Sequence, residues 1–238
     1  MVFRQQPKTS SRHHFGSRLV FLDGHLFITL GDRGERIEAQ NTGNHLGTVV
    51  RIRPDGSIPE DNPLVGRPDA RPEIWSWGHR NQQGAAVNPW TGALWTHEHG
   101  PKGGDEINLP LAGRNYGWPI ITYGINYSGL PIPEAEGVAR EGLEQPWHHW
   151  AVSPAISGMA FYDHERFPAW RRSLFIGALA QRALIRLSLD DASRVVAEER
   201  LLEAQGWRIR DVRCGPDGAV WVLTDEDDGR LLRLELEA

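Results

Sequence analysis

One arrangement recurs four times along the 238 residues: a short apolar strand, a polar loop, then a second strand. HLFITLGD (His25 to Asp32) leads to TVVRIRPDG (Thr48 to Gly56), and ALWTHEHG (Ala93 to Gly100) leads to DEINLPL (Asp105 to Leu111). SLFIGALA (Ser173 to Ala180) leads to ALIRLSLD (Ala183 to Asp190), and AVWVLTDE (Ala219 to Glu226) leads to LLRLELE (Leu231 to Glu237). Three of the second strands carry arginine at the same place, Arg51, Arg186 and Arg233. Turn-forming pairs precede first strands at Asp23-Gly24, Thr91-Gly92 and Asp217-Gly218. Strand pairs repeated at irregular spacing, with no helical period between them, predict the blades of a β-propeller rather than a β-sandwich. The expectation is therefore an all-β chain forming one domain over residues 1–238. Leu111 to Pro168 is rich in Pro and Gly and is expected to hold extended excursions. Ser193 to Ala204 (SRVVAEERLLEA) reads equally as a short helix or as a strand between blades.

Composition narrows the functional classes. Ten Trp, sixteen Pro and twenty-six Gly suit a turn-rich β protein. A net charge of −5 argues against a binder of nucleic-acid phosphates. No apolar run approaches the ~20 residues of a membrane span. The single Cys214 excludes an internal disulfide framework. The opening MVFRQQPKTSSRHHFG has no apolar core of the kind a secretory signal carries.

The densest polar stretch runs from Trp75 to Pro119. It holds Arg80 and Asn81, a small-residue loop from Gly100 to Gly104, and the acids Asp105 and Glu106. An arginine fork suits carboxylate or quinone oxygens, and loop carbonyls with carboxylates suit a hard cation such as Ca²⁺. A structural arginine and a solvated acidic turn account for the same residues. Upstream, His14 precedes a strand and Asp32 ends the next, so a hairpin could bring base and carboxylate together. On those residues alone, a surface histidine, one of ten, is the plainer reading. Arg208 and Arg210 lie two apart in WRIRDV and face one side of a strand. They need an anion between them, or else an acid such as Asp211 as partner. The chain has no P-loop, GxGxxG, EF-hand, zinc-type Cys/His spacing or serine-hydrolase elbow, which disfavours NAD-linked, phosphoryl-transfer and zinc chemistry.

Taken together, HFGSRLVF, LFITLGDRG, IRPDGSIPEDNP, IWSWGHRNQQG, EHGPKGGDEIN, GRNYGWP and RIRDV resemble the soluble PQQ-dependent glucose/aldose sugar dehydrogenases, the quinoprotein β-propeller family. The resemblance implies a six-bladed propeller, about four blades of which lie in this chain. His14 matches the base that takes the proton of the sugar's anomeric hydroxyl, and Asp32 the carboxylate that holds it. Arg80 matches the arginine over the quinone carbonyl, Asn81 its cofactor-contacting neighbour, and Arg208 and Arg210 the pair on the cofactor's carboxylates and ring oxygens. Gly100 and Pro101 match the carbonyls that carry the cofactor's Ca²⁺. Asp105, Glu106 and Tyr116 match positions of a second, structural Ca²⁺. Where some members have a lysine after the SLFIGAL-type strand, this chain has Ala180-Gln181-Arg182.

The implied activity is oxidation of an aldose at C1 to the lactone, with PQQ as hydride acceptor and an external electron acceptor. A periplasmic or secreted location is implied too, and a homodimer is compatible. Family members carry a secretion signal and further blade sequence ahead of the histidine motif, whereas His14 here follows thirteen residues, so an N-terminally incomplete propeller is expected. Two other functions compete: a calcium-dependent propeller lactonase, which needs no arginine cluster, and an inactive propeller fragment serving as a binding module.

Overall fold

The computed structural model describes residues 1–235, and these form four mainly antiparallel β-sheets with three short 3₁₀ turns. In chain order, β1 (Gly16–Leu22), β2 (His25–Leu30), β3 (Thr48–Ile52) and β4 (Ile74–Trp77) are successive neighbours in the first sheet. The second sheet contains β5 (Gln82–Val87), β6 (Leu94–Glu98) and β7 (Asp105–Asn108). β8 (Arg114–Asn115) returns to the first sheet parallel to β4, and β9 (His148–Trp150) joins the second beside β7. The third sheet is β10 (Ile156–Tyr162), β11 (Ser173–Ala178), β12 (Ala183–Leu189) and β13 (Val195–Leu201). The fourth is β14 (Ile209–Cys214), β15 (Val220–Thr224) and β16 (Leu231–Arg233). Leu236 and Glu237, the end of the last expected strand, lie outside the described residues.

All four predicted strand pairs are present, one in each sheet. The ambiguous stretch after Ser193 is mainly strand β13, paired with β12 through partners such as Leu187↔Glu198. Pairing with a neighbour decided what local propensity left open. The β1–β2 hairpin closes through Asp23 (φ 48°) and Gly24 (φ 74°), the two positive-φ positions of a tight hairpin turn. The region Leu111 to Pro168 is less irregular than expected, since it includes β10, a strand buried along most of its length.

The chain divides into two compact units, Met1–Ala85 with Leu94–Val152, and Ala86–Ala93 with Ser153–Ala238. In the first unit Ile28, Leu30, Val50 and Ile52 form one apolar cluster, and Phe27, Val49 and Leu94 form another. Burial of each such side chain contributes about 1.5–3 kcal/mol. The second unit has its own core around Tyr162, Phe175, Leu184, Val212 and Val222. The repeated arginine of the second strands performs one task in three places: Arg51 pairs with Asp61 (3.0 Å), Arg186 with Glu199 (2.7 Å) and Arg233 with Asp217 (2.7 Å). The expected site residues His14, Asp32, Arg80 and Asn81 of the first unit stand beside strand ends rather than within strands.

Candidate functional site

His14 lies two residues ahead of β1, and its φ of 51° is left-handed, an uncommon conformation for a residue with a Cβ. Its Nδ1 is 2.6 Å from Oδ1 of Asp32, which is fully buried just past β2. An ionised carboxylate only accepts, so this contact places the proton of a neutral imidazole on Nδ1 and leaves Nε2 as an acceptor. The loop around His14 is held from below. A Cβ at Gly31 would stand 1.9 Å from the His14 carbonyl oxygen, so only glycine fits there. Arg33 donates to the His13 carbonyl (Nε, 2.9 Å) and the Ser11 carbonyl, and its guanidinium sits 3.7 Å from the centre of the Phe15 ring.

Arg80 is 6 % exposed. Its Nη1 donates to the His99 carbonyl at 3.0 Å, while its buried Nε has no hydrogen-bond partner among the described residues. Burial pulls the guanidinium's proton affinity below the usual arginine value, a shift opposed by Asp32, Tyr127 and Glu98. Glu98, at the end of β6, organises the backbone here. Its Oε2 accepts from the N–H groups of Arg80 and of Asn81 (3.2 Å), and its Oε1 from His79 Nδ1 (2.9 Å) and Asn108 Nδ2 (3.1 Å). Asn81 is buried beside Arg80, its Oδ1 receiving Gln83 Nε2 at 2.9 Å. His14, Arg80 and Pro101 line one cavity of about 290 Å³ together with Arg36, Asn126 and Tyr127. The structure thus brings the expected base and the expected quinone-facing cation to a common space.

Three of the expected metal positions, Gly100, Glu106 and Tyr116, line a smaller void, whereas Pro101 lines the larger cavity. A cavity of about 20 Å³, room for one water-sized guest, is lined by Glu98, Gly100, Gly104, Glu106 and Tyr116 among others. Asp105 and Glu106 open β7 rather than forming a solvated turn. Asp105 is fully buried and accepts the Gly100 N–H at 3.0 Å. The Tyr116 hydroxyl is engaged with Leu109 and Leu111, which leaves its main chain as the means of reaching a cation. Among the described residues, no group of three or more His, Cys, Asp or Glu is arranged to hold a metal. Any cation here would rely on carbonyls as well as carboxylates.

Burial, with Glu98 beside it, pushes the Glu106 carboxyl up from 4.5 to about 8, while the Asn108 amide pulls the other way. A carboxyl whose folded value is raised binds its proton in the folded state while the unfolded chain has already lost it. The contribution of Glu106 to stability is therefore fully present below pH 4.5 and is lost as pH rises towards 8, by up to ~1.4 kcal/mol per pH unit. Thermal melts of the metal-free chain are expected to show this decline, Glu106→Gln to flatten it, and added Ca²⁺ to offset it. A wild-type melt that does not vary between pH 5 and 8 would contradict the buried-carboxyl assignment.

Arg208 and Arg210 belong to the second unit and share one anion, Asp225, with Nη2–Oδ2 distances of 2.9 Å each. Asp211 instead pairs with Arg213 at 3.0 Å. The Arg210 and Arg208 hydrogen bonds hold the Asp225 carboxyl below the usual carboxylate range. One carboxylate against two guanidiniums leaves a positive charge over. Arg182 donates to the Gly206 carbonyl at 2.6 Å and lies 3.8 Å from Glu226.

Sequence reasoning missed Glu98, Trp118, Tyr127 and Asp225. Glu98 carried a usable signal, an acid closing the strand LWTHE just ahead of the Gly100 to Gly104 loop.

The family model for glucose/sorbosone dehydrogenase matches residues 1–233. Aldose sugar dehydrogenase YliI of Escherichia coli (strain K12) is 54 % identical over 98 % of this chain and 63 % of its own length. A solved glucose dehydrogenase superposes with a TM-score of 0.97 at 61 % identity, over 99 % of this chain and 68 % of that one. The PQQ-bound form of an aldose sugar dehydrogenase from Streptomyces coelicolor superposes with a TM-score of 0.75 at 29 % identity, over 99 % of this chain and 65 % of that one. The four sheets are thus blades of a quinoprotein-type β-propeller. The chain belongs to the glucose/sorbosone dehydrogenase family. It spans 63 % of the length of YliI.

Proposed function

We propose that this chain carries the redox site of a PQQ- and Ca²⁺-dependent dehydrogenase that oxidises aldoses at C1 to the lactone. The observation that carries the reading is the Asp32-held His14 opening into the same cavity as Arg80. The donor set fits the cofactor. Arg80 has a buried Nε without a partner, suited to an oxygen that gains negative charge. Arg208 and Arg210 carry surplus positive charge suited to its carboxylates. Asn81 stands beside Arg80 as a further contact. The carbonyls of Gly100 and Pro101 are hard oxygen donors for the cofactor's Ca²⁺, and Asp105, Glu106 and the Tyr116 main chain would serve a second ion, Glu106 and Tyr116 lining a void of about 20 Å³. The reading is of a periplasmic or secreted protein for which a homodimer is compatible.

When bound, PQQ supplies a two-electron acceptor and Ca²⁺ a Lewis acid. The chain's own residues do the rest. His14 Nε2 takes the C1 hydroxyl proton of the aldose, and Asp32 holds the ring in the required tautomer and stabilises the imidazolium that results. Arg80, desolvated and fixed through His99, presents its fork where charge develops. Tyr127 lines the same cavity and offers an aromatic face to the sugar. The electrons leave to an external acceptor.

The test is dye-linked oxidation of an aldose by the purified chain. Turnover is expected only with both PQQ and Ca²⁺, with lactone as product. Hydrolysis of a lactone without PQQ would instead favour the lactonase reading, for which three buried or paired arginines have no use.

A further inference from the structure

Two parts of the site, the base and the quinone-facing cation, meet at one side chain that neither role names. Trp118 Nε1–H donates to Oδ2 of Asp32 at 2.8 Å. Oδ1 of the same carboxylate is occupied by His14 Nδ1 (2.6 Å) and the Gly34 N–H (2.7 Å). The terminal torsion of an aspartate is broad, so one occupied oxygen does not fix the carboxylate plane, whereas donors on both oxygens do. The face of the same indole lies under the Arg80 guanidinium, 5.2 Å from Cζ. A cation over a tryptophan face is attracted by the ring, more strongly when desolvated, and Arg80 is buried.

Trp118 is itself anchored. Its N–H donates to the Gly78 carbonyl at 2.9 Å, its carbonyl accepts from Gln40 Nε2 at 2.7 Å, and its ring packs with Ala39 and Ile132. Gln40 is locked in turn by exchange with the Asn115 amide, at 2.7 and 3.1 Å. No other side chain type supplies both an apolar cation-binding face and an edge N–H at this reach. Phenylalanine has the face without the donor, and histidine has the donor with a smaller face.

We infer that Trp118 is a positioning residue for the redox site: its edge fixes Asp32, and through it the His14 tautomer, while its face fixes Arg80, so that base and cation keep one spacing. This inference rests on the proposed function for its purpose but not for its test. Trp118→Phe keeps the face and removes the donor. In the cofactor-free chain, long-range ¹H–¹⁵N correlation of the His14 ring is expected to show one tautomer, protonated on Nδ1, and Trp118→Phe is expected to give a mixture. Because a core tryptophan can be costly to replace, Asp32→Asn is read from the other side. There the intact Trp118 indole N–H resonance, identified by its absence in Trp118→Phe, is expected to move upfield.

With PQQ and Ca²⁺, Trp118→Phe is expected to lower kcat by about 10-fold, the low end for residues that orient a reacting group, while KM for the aldose stays within about twofold. In an Asp32→Asn background the same change is expected to cost little more. An unchanged His14 tautomer in Trp118→Phe, or losses in kcat that multiply fully in the double variant, would overturn the inference and show Trp118 to be core filling alone. A chain that neither binds PQQ nor oxidises aldoses, yet shows the tautomer effect, would refute the proposed function and leave this positioning role standing.

Discussion

Replacing His14 with glutamine is expected to lower kcat for aldose oxidation by about 10³-fold, inside the range that positioned bases contribute. The reason is specific to the geometry. Asp32 receives the proton-bearing Nδ1 at 2.6 Å, which leaves Nε2 as the one basic atom that His14 turns to the cavity. Glutamine keeps polarity and approximate size but has no basic nitrogen. PQQ affinity is expected to change by less than about threefold, because His14 makes no charged contact of the kind that holds carboxylates. Steady-state kinetics beside a fluorescence titration separates the two quantities. A His14→Gln variant that turns over at more than a tenth of the wild-type rate would remove His14 from the mechanism.

Arg80→Ala carries the second large effect, a loss of about 10²–10³ in kcat, as for other donors aimed at developing charge. Truncation also removes a cation that interacts with Asp32 and Glu98, so part of the loss is expected to come from the fold. Arg80→Lys resolves this. A lysine keeps the charge but not the planar fork, so stability is expected to recover while most of the kcat loss remains. If Arg80→Lys restores both melting temperature and turnover, Arg80 serves only as local counter-charge, and the quinone-facing role fails.

The repeated strand pairs were legible because each first strand is a short run rich in apolar residues, of a length that suits a strand, and because turn chemistry marks three of the four starts. β10 was not read as a strand, for a physical reason. Its ISGMAFY packs small residues where neighbouring strands come close. A Cβ at Gly158 would lie 1.8 Å from the Asp211 carboxylate, and one at Gly177 on β11 would lie 2.4 Å from Ser157 Oγ. Close approach thins the hydrophobic signal that pattern reading depends on. In the site, His14 and Asp32 were readable as hairpin neighbours, eighteen positions apart. Asp225 was not, since it meets Arg208 and Arg210 from seventeen and fifteen positions away with nothing local to mark it. Trp118 escaped for a similar reason, since its donor reaches Asp32 across 86 positions.

The central claim is that these residues form a PQQ site that depends on Ca²⁺. Titration of the purified chain with PQQ, with and without Ca²⁺, followed by tryptophan fluorescence, tests it most directly. Trp118 stands under Arg80 and so next to the expected cofactor, which makes its emission a local reporter. Saturable quenching that requires Ca²⁺, and that weakens at least about tenfold in Arg208→Ala and Arg210→Ala, is the expected result. Absence of binding under either condition, or binding that is indifferent to Ca²⁺ and to both arginines, would contradict it.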